Sequence, residues 1–371
     1  MTNTKIIIIG GGNHHNALGV IRSLGKRNYD FDLITYGSLS SHYITSSKFV
    51  SNHIEFEQPE EVIQHLNSLN SCQTKIILIS CSDSITELLS IHYDELAEKF
   101  IIPGINKAGL MKKNQDKYQM IETASKFGLS TPQTWTIPEE AHNITFPCIT
   151  KSVLSSHGGK QCIVILNDKK ELDDFRKQHN EQFFVQQYID KKEEVQFIGC
   201  SLNEGEDIII PGMTKIIRSQ SSTNTGFLEY GEIEEFWLDT VAKSKEYLKE
   251  CKYSGLFSIE FIRDYDDNVY FLETNFRNDG NAYCVTAAGV NLPVIWVNWC
   301  AGISYRDEIK PVKNIFVMPE FQDCKLVLEG KLSPFIWLKD LLRTDCFLEW
   351  DKYDKKPFFK AFIDKIENAF K

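Results

Sequence analysis

Three oxygen-bearing side chains stand close together in the stretch from Phe257 to Gly280. Apolar and polar residues alternate on both sides of the turn-forming sequence DYDDN, which predicts a β-hairpin. Side chains two apart in a strand share a face, so Glu273 and Asn275 should lie side by side, with Glu260 facing them from the partner strand. Two carboxylates and an amide oxygen suit Mg²⁺, which commonly takes its remaining ligands from nucleotide phosphates.

Arg277 lies two residues after Asn275, just beyond this hairpin. A guanidinium can hold a planar anion through two parallel hydrogen bonds, so Arg277 is a candidate for binding a second anion beside the metal. The alternative for the whole hairpin is an exposed edge whose acidic side chains simply face water.

The chain opens with an apolar strand, a glycine-rich turn and a helical pattern. Lys5–Ile9 is followed by three glycines, the sequence order of the first β-α-β unit of a Rossmann-like domain. The turn GGGNHHN is not the dinucleotide fingerprint, so it predicts either a substrate anion at the helix N-terminus or a turn without ligand. Strands and helices alternate to about Gly104, and the strand Lys75–Ile79 runs into a loop at Asp83 where a ligand crevice is expected.

A second candidate for anion binding is a strand, Phe146–Lys151, that ends in a lysine and leads into the loop SSHGGK and the strand Gln161–Leu166. A fixed cation followed by free backbone N–H groups suits a polyphosphate, although this is not a Walker loop because no helix follows. A plain hairpin is the alternative. The loop contains two serines and two glycines of interest: Ser155, Ser156, Gly158 and Gly159.

Three further segments carry polar residues at the ends of predicted elements. A helix beginning at Asn114 contains Lys117, and the strand Phe183–Tyr188 runs into a polar linker that leads to the strand Val195–Gly199. The strand 208–217 contains Lys215 and leads to Arg218, where positive charge can reach a substrate carboxylate, or where a strand end is simply exposed.

Length and composition bound the class of protein. The 371 residues predict two or three domains, and a net charge of −10 argues against nucleic-acid binding. Ten cysteines without a C-x-x-C pair predict neither a zinc site nor a disulfide framework. With no signal-peptide pattern and no apolar run long enough to span a bilayer, we expect a cytoplasmic protein without a transmembrane segment.

Taken in order, these motifs resemble the ATP-grasp carboxylate–amine ligases, and most of all the predicted ligases related to D-aspartate ligase. The resemblance comprises the glycine turn, the D-K helix, the lysine and glycine loop, the Q-Q-Y-I linker, the E…E-x-N-x-R hairpin and the A-G-V-N-L-P break. The sequence departs from the family pattern at Ser152, where proline is usual, at Gln186, where an acid is usual, and at 276–279 (FRND), where P-R-aromatic is usual.

The resemblance implies a mixed α/β and α+β fold with four parts. These are a Rossmann-like substrate domain (1–105), an ATP-grasp small lobe with the glycine-rich loop (106–185), a large lobe with the metal site (186–308) and a C-terminal extension (309–371). The extension is rich in Phe, Trp and Lys. We expect it to be a helical segment packed on the sheet rather than an amphipathic membrane-surface element.

The resemblance also implies the roles of individual residues. ATP would be bound with Mg²⁺, or Mn²⁺, on Glu260, Glu273 and Asn275. Residues implied to contact the nucleotide are Lys117, Lys151 and the loop residues Ser155, Ser156, Gly158 and Gly159 near the phosphates, Gln186, Gln187, Tyr188 and Ile189 at the adenine, and Glu194 at the ribose. Glu194 is preferred to Glu193 because Val195 and Phe197 then face the core. Residues implied to act on the substrate side are Arg277, Arg218 and Lys215.

The implied reaction joins a small-molecule carboxylate to an amine through an acyl phosphate, with no side-chain nucleophile, in a protein that can form a homodimer. Catalysis would rest on positioning and electrostatics. Three other functions fit parts of the chain: a carboxylase or kinase on the same fold, a nicotinamide-dependent oxidoreductase using the glycine turn, and a scaffold protein without activity.

Overall fold

The protein is described from a computed structural model, which covers residues 4–12, 14–37, 43–71, 73–136, 143–152, 163–179, 183–219 and 225–369. Its strands, in chain order, are β1 (Ile6–Gly11), β2 (Asp32–Tyr36), β3 (Asn52–Phe56), β4 (Ile76–Ser80), β5 (Phe100–Ile101), β6 (Thr134–Thr136), β7 (Cys148–Ser152), β8 (Ile165–Leu166), β9 (Phe183–Gln187), β10 (Lys191–Leu202), β11 (Asp207–Ile209), β12 (Met213–Arg218), β13 (Phe227–Gly231), β14 (Gly255–Asp264), β15 (Val269–Asn275), β16 (Ile315–Met318) and β17 (Cys346–Phe347). Its α-helices are α1 (His15–Gly25), α2 (Pro59–Ser68), α3 (Asp83–Ile91), α4 (Tyr93–Leu96), α5 (Leu110–Gln115), α6 (Lys117–Lys126), α7 (Lys169–Gln178), α8 (Leu238–Glu250), α9 (Tyr283–Ala288), α10 (Leu292–Cys300), α11 (Glu320–Leu328), α12 (Pro334–Arg343) and α13 (Lys356–Ala369).

The first sheet is parallel and has the strand order β3-β2-β1-β4-β5. Ile6–Ile9 is buried on both faces of β1, as a central strand of a parallel sheet requires. The turn after β1 leads directly into α1, and Gly12 has a positive φ of 63°. The predicted Rossmann-like β-α-β opening is therefore confirmed.

The second sheet, of order β6-β9-β7-β8, is antiparallel and packs Trp135, Phe175 and Val185 around a small core. The predicted strand ending in Lys151 is confirmed as β7. Its predicted partner, 161–166, is observed over Ile165–Leu166 as β8, and the four loop residues Ser155, Ser156, Gly158 and Gly159 lie outside the described residues.

The third sheet has the order β15-β14-β10-β12-β13-β16-β17, with β11 added beside β10. It contains the predicted hairpin, with β14 extended in both directions from the predicted 257–262. Glu260 is paired with Glu273 and Phe261 with Phe271, so Leu272 forms a bulge in β15.

Two predicted boundaries are wrong for local reasons. The helix expected to begin at Asn114 begins at Lys117, because the Asp116 carboxylate caps it by accepting the N–H groups of Tyr118 and Gln119. The strand expected to begin at Val195 begins at Lys191, so Glu194 lies within β10 and not before it.

The C-terminal extension is not solely helical, since β16 pairs with β13 and β17 with β16 at the edge of the third sheet. A buried ion pair ties it to α1, with Arg22 Nε 3.1 Å from Asp354 Oδ2. The Arg22 guanidinium also donates to the carbonyl oxygens of Leu348 and Glu349. Within the described residues, no helix is long and apolar enough to cross a bilayer.

Candidate active site

The centre of the site is a pair of acidic residues directly opposite each other on β14 and β15. Glu260 is buried and faces Glu273 across the strand pair, and β10 places Gln196 beside Glu260 on its other side. Glu260 Oε1 accepts hydrogen bonds from the side-chain amides of Gln196 and Asn275, each at 3.1 Å. The predicted convergence of Glu260, Glu273 and Asn275 is thus observed.

Two lysines from different elements act on Glu273. Lys117 Nζ, in the first turn of α6, lies 3.2 Å from Glu273 Oε2. This ammonium is the main reason that the pKa of Glu273 is held low, at about 2, against the cost of burial. Burial lowers the pKa of Lys151 on β7 to about 8, and Glu273 opposes that shift.

Arg277 is held by the side-chain oxygens of Asn275, Asp279 and Asp83. Its Nη2 donates to Asn275 Oδ1 at 3.1 Å and its Nη1 to Asp279 Oδ2 at 3.0 Å, while its Nε lies 3.4 Å from Asp83 Oδ1. Burial disfavours the charge, but Asp83 and Asp279 more than offset it and raise the pKa of Arg277. The guanidinium is therefore a fixed cation beside the acidic pair.

The loop after β15 rests on the carboxyl ends of the first sheet. Asn278 donates its N–H to the Ser80 carbonyl at 3.2 Å, at the end of β4. Asn16 Nδ2, in α1, donates to the carbonyls of Asn278 (2.7 Å) and Cys81 (3.0 Å). The predicted crevice at these strand ends thus borders the site.

Two histidines follow the glycine turn and lie against Gly280 of the same loop. His14 Nδ1 caps α1 by accepting the N–H of Asn16 at 3.1 Å, so in its neutral form His14 carries its proton on Nε2. Burial, and next the neighbouring His15, hold the pKa of His14 well below its usual value. A side chain at Gly280 would come within 3.2 Å of His14 Cε1, so glycine allows this close approach.

The residues implied to bind the base and ribose lie along β9 and β10. Gln186 is buried and its side-chain amide donates to Thr134 Oγ1 at 3.0 Å. Gln187 donates its backbone N–H to the carbonyl of Gln133. Tyr188 donates its N–H to the Pro147 carbonyl at 3.3 Å. The residue that follows in this half-buried linker is Ile189.

Glu194 and Glu193 point to opposite faces of β10, as alternation requires. Glu194 is buried, pairs with Lys191, and shares its face with Gln196 and so with the acidic pair. This arrangement agrees with the preference for Glu194.

Lys215 and Arg218 are not brought to the acidic pair. Lys215 lies opposite Val195, on the other face of the sheet, and pairs with Glu193 at 3.3 Å and with Glu234. Arg218 makes a two-pronged ion pair with Asp323 in α11, at 2.9 and 2.7 Å, and a third contact with Asp340 in α12 at 2.8 Å. Lys215 lies on the opposite face of the sheet and Arg218 is directed at α11 and α12, so we do not assign them to this cluster.

The donor set of the acidic pair fits Mg²⁺. No group of three or more His, Cys, Asp or Glu side chains in the described part of the chain is arranged to hold a metal. One or two carboxylates are nevertheless what Mg²⁺ commonly takes from a protein when nucleotide phosphates supply other ligands, and Asn275 can add an amide oxygen. Glu273 remains ionised over the physiological range because of its low pKa.

Sequence analysis did not identify five residues that complete the site: Asn16, Asp83, Gln196, Ser258 and Asp279. Asp279 accepts hydrogen bonds from Ser258 and Arg277, both at 3.0 Å. Of these residues only Asp83 had a local signal, its place at a strand end. The others become recognisable once the strand register is known.

The chain is similar to known proteins in sequence and in fold. No family model matches the chain. The D-aspartate ligase of Enterococcus faecium (strain Aus0004) is 24% identical over an alignment of 241 residues that covers 59% of this chain and 57% of that protein. The chain thus matches little more than half the length of this relative.

Solved structures of ATP-grasp ligases have the same fold. N5-carboxyaminoimidazole synthetase from Staphylococcus aureus aligns with a TM-score of 0.65 at 17% identity, over 88% of this chain and 85% of its own. L-amino acid ligase from Bacillus licheniformis aligns with a TM-score of 0.62 at 13% identity, over 85% and 79%. The chain therefore has the ATP-grasp fold, and the resemblance predicted from its motifs is confirmed.

Proposed function

We propose that the protein is an ATP-dependent ligase that joins a carboxylate to an amine through an acyl phosphate and releases ADP and phosphate. The observation that supports this proposal most is the facing pair Glu260 and Glu273, with Lys117 on one side and Arg277 on the other. Such a site offers oxygen ligands for a cation and fixed positive charges for two anions.

Lys117 and Lys151 would neutralise the ATP phosphates, and Glu194 would accept hydrogen bonds from the ribose hydroxyls. Glu260, Glu273 and Asn275 would hold Mg²⁺, which would screen the phosphate charge. Gln187, Tyr188 and Ile189 would border the base. For the residues outside the described part of the chain, Ser155, Ser156, Gly158 and Gly159, contact with the phosphates stays a prediction.

Arg277 would orient the substrate carboxylate for attack on the γ-phosphorus. One carboxylate oxygen forms a bond to phosphorus and ADP leaves. The amine nitrogen then bonds to the acyl carbon, the C–O bond to phosphate breaks, and the nitrogen loses a proton. Preorganised charge at Arg277 lowers the barrier to both steps without reorganisation during reaction.

Two observations favour an amino-acid carboxylate as substrate. The sequence relative is a D-aspartate ligase and one structural neighbour is an L-amino acid ligase. The carboxylate, the amine, the four domain boundaries, a homodimer and a cytoplasmic location stay predictions from the sequence.

The test is a screen for ADP release with ATP and Mg²⁺, crossing D- and L-amino acids and other carboxylates with amines. We expect ADP release that needs both a carboxylate and an amine, with the amide detected by mass spectrometry. Release that needs bicarbonate, or a hydroxyl acceptor that becomes phosphorylated, would replace the ligase by a carboxylase or kinase on the same fold.

A further inference from the structure

The C-terminal helix α13 has an apolar face turned toward solvent. Phe359, Phe362, Ile363 and Ile366 follow the i, i+3, i+4, i+7 spacing of one helix face, and they are exposed by 52%, 48%, 48% and 42%. Large apolar side chains exposed together on one stripe are unusual for a surface that meets only water.

The opposite face of α13 is the one packed on the protein. Ala361 is buried, and the helix lies on the 3₁₀ turn Tyr43–Ser46. Phe358 stacks on Phe321 of α11 with ring centroids 5.0 Å apart. The helix is thus fixed by one side, so its exposed stripe is a stable feature of the surface.

Lysines border the exposed stripe on both sides. With about 3.6 residues per turn, Lys356 and Lys360 lie along one edge, together with Glu367, and Lys365 lies along the other. Lys360 also pairs with Asp364 on the next turn, at 2.9 Å. Residues 352–371 contain six lysines and three acids, a local charge of +3 in a chain of net charge −10. One of those acids, Asp354, is buried against Arg22, which leaves the exposed surface more basic still.

We propose that α13 binds the surface of a membrane that contains anionic lipids. An apolar stripe between rows of lysines is the pattern of a helix lying in the interface, where the stripe enters the acyl boundary and the lysines reach the headgroups. The acidic charge of the rest of the chain would keep other faces away from the same surface.

Helix α12 provides a matched control. It exposes Phe335 by 84% and Leu342 by 80%, more than any residue of the α13 stripe. The segment that contains it, 329–345, has three basic and three acidic residues and no net charge, whereas residues 352–371 carry +3, so the charge argument does not extend to it.

The experiment is co-sedimentation of the full chain with phosphatidylcholine vesicles, with and without about a third phosphatidylglycerol. We expect binding to the anionic vesicles that weakens with salt, and little binding to phosphatidylcholine alone. Phe362→Ser with Ile366→Ser should lower binding about tenfold or more, and Lys356→Glu with Lys365→Glu should also lower it. Phe335→Ser with Leu342→Ser should leave binding unchanged, and thermal unfolding confirms that each variant is folded.

Other outcomes would overturn the proposal. These are absence of binding, equal binding to both vesicles, or loss of binding in the α12 variant and not in the α13 variants. A dimer in solution that Phe362→Ser with Ile366→Ser dissociates would assign the stripe to a second copy of the chain instead. All of these readings are independent of ADP release, so they do not depend on the ligase proposal.

Discussion

Lys117 Nζ lies 3.2 Å from Glu273 Oε2 and joins the first turn of α6 to the strand that carries the acidic pair. The two residues are far apart in the chain, and the contact places a cation beside the carboxylate that we propose as a magnesium ligand. This ammonium is the largest cause of the lowered pKa of Glu273, so the proposed metal ligand and the proposed phosphate-binding lysine are electrostatically coupled.

Replacing Glu273 by glutamine should abolish ADP release while the protein stays folded. A neutral amide cannot replace a carboxylate on Mg²⁺, and Glu273 is partly exposed in the site, so the core is not disturbed. ADP release and thermal unfolding would be measured side by side. Glu234→Gln, an acid beside Lys215 on the other face of the sheet, is the control and should keep activity. Normal turnover in Glu273→Gln would refute the metal site.

The low pKa of Lys151 predicts a pH dependence of ATP use. Its pKa of about 8 lies below that of a free lysine, so the ammonium is lost as the pH rises through about 8. We expect kcat/KM for ATP to fall over that range, because the free enzyme loses a phosphate-binding charge. Lys151→Arg should remove this fall, since a guanidinium stays charged. Lys151→Ala should weaken ATP binding below about pH 8, where the wild-type side chain is charged, and less above it. Lys215→Ala is the matched control, and an ATP affinity unchanged by Lys151→Ala would contradict the assignment.

Arg277→Lys should separate the two halves of the reaction. Lysine keeps the charge but cannot bind an anion through two parallel N–H groups. We expect near-normal ATP affinity and a loss of amide formation of about tenfold or more, corresponding to ~1.5–3 kcal/mol for a charged hydrogen bond. Both would be measured on the same preparation. Equal losses of ATP affinity and amide formation, or no loss of either, would show that Arg277 does not hold the substrate anion.

Asp354→Ala should destabilise the fold strongly. The variant leaves Arg22 buried without its carboxylate partner, which costs about 3–5 kcal/mol in comparable buried pairs. The free energy of unfolding would be measured by denaturant titration. Glu122→Ala breaks an exposed helix pair with Lys126 and should produce no measurable change. A similar small effect in both variants would mean that the C-terminal extension is not held by the Arg22 pair.

The local part of the site could be predicted from the sequence. Strand alternation fixes which residues share a face over a few positions, and this suffices to group Glu260, Glu273 and Asn275. Arg277 lies two residues past the end of β15, so its place in the group depends on the loop. The start of α6 could not be predicted as well. Asn114 and Asp116 are both good N-caps and only tertiary packing selects between them, so the predicted N-cap is two residues too early.

The non-local part could not be predicted. Arg218 at a strand end has the same sequence signal whether its anion is a substrate or a carboxylate of its own chain, and its partner Asp323 is 105 residues away. Gln196 likewise joins the site through strand register, which leaves no local pattern. Asp83 has only the weak signal of its place at a strand end, and its contact with Arg277 depends on how the sheets pack. The face of Lys215 follows from its pairing with Val195, which is also long-range.

The guanidinium of Arg277 contacts Asp83, just after β4 of the first sheet, and Asn275, at the end of β15 of the third sheet. If these two sheets rotated apart, the contact with Asp83 would break first, and the cation proposed to hold the substrate would lose one of the supports that aim it. The orientation of this cation would thus depend on how closely the two sheets approach each other.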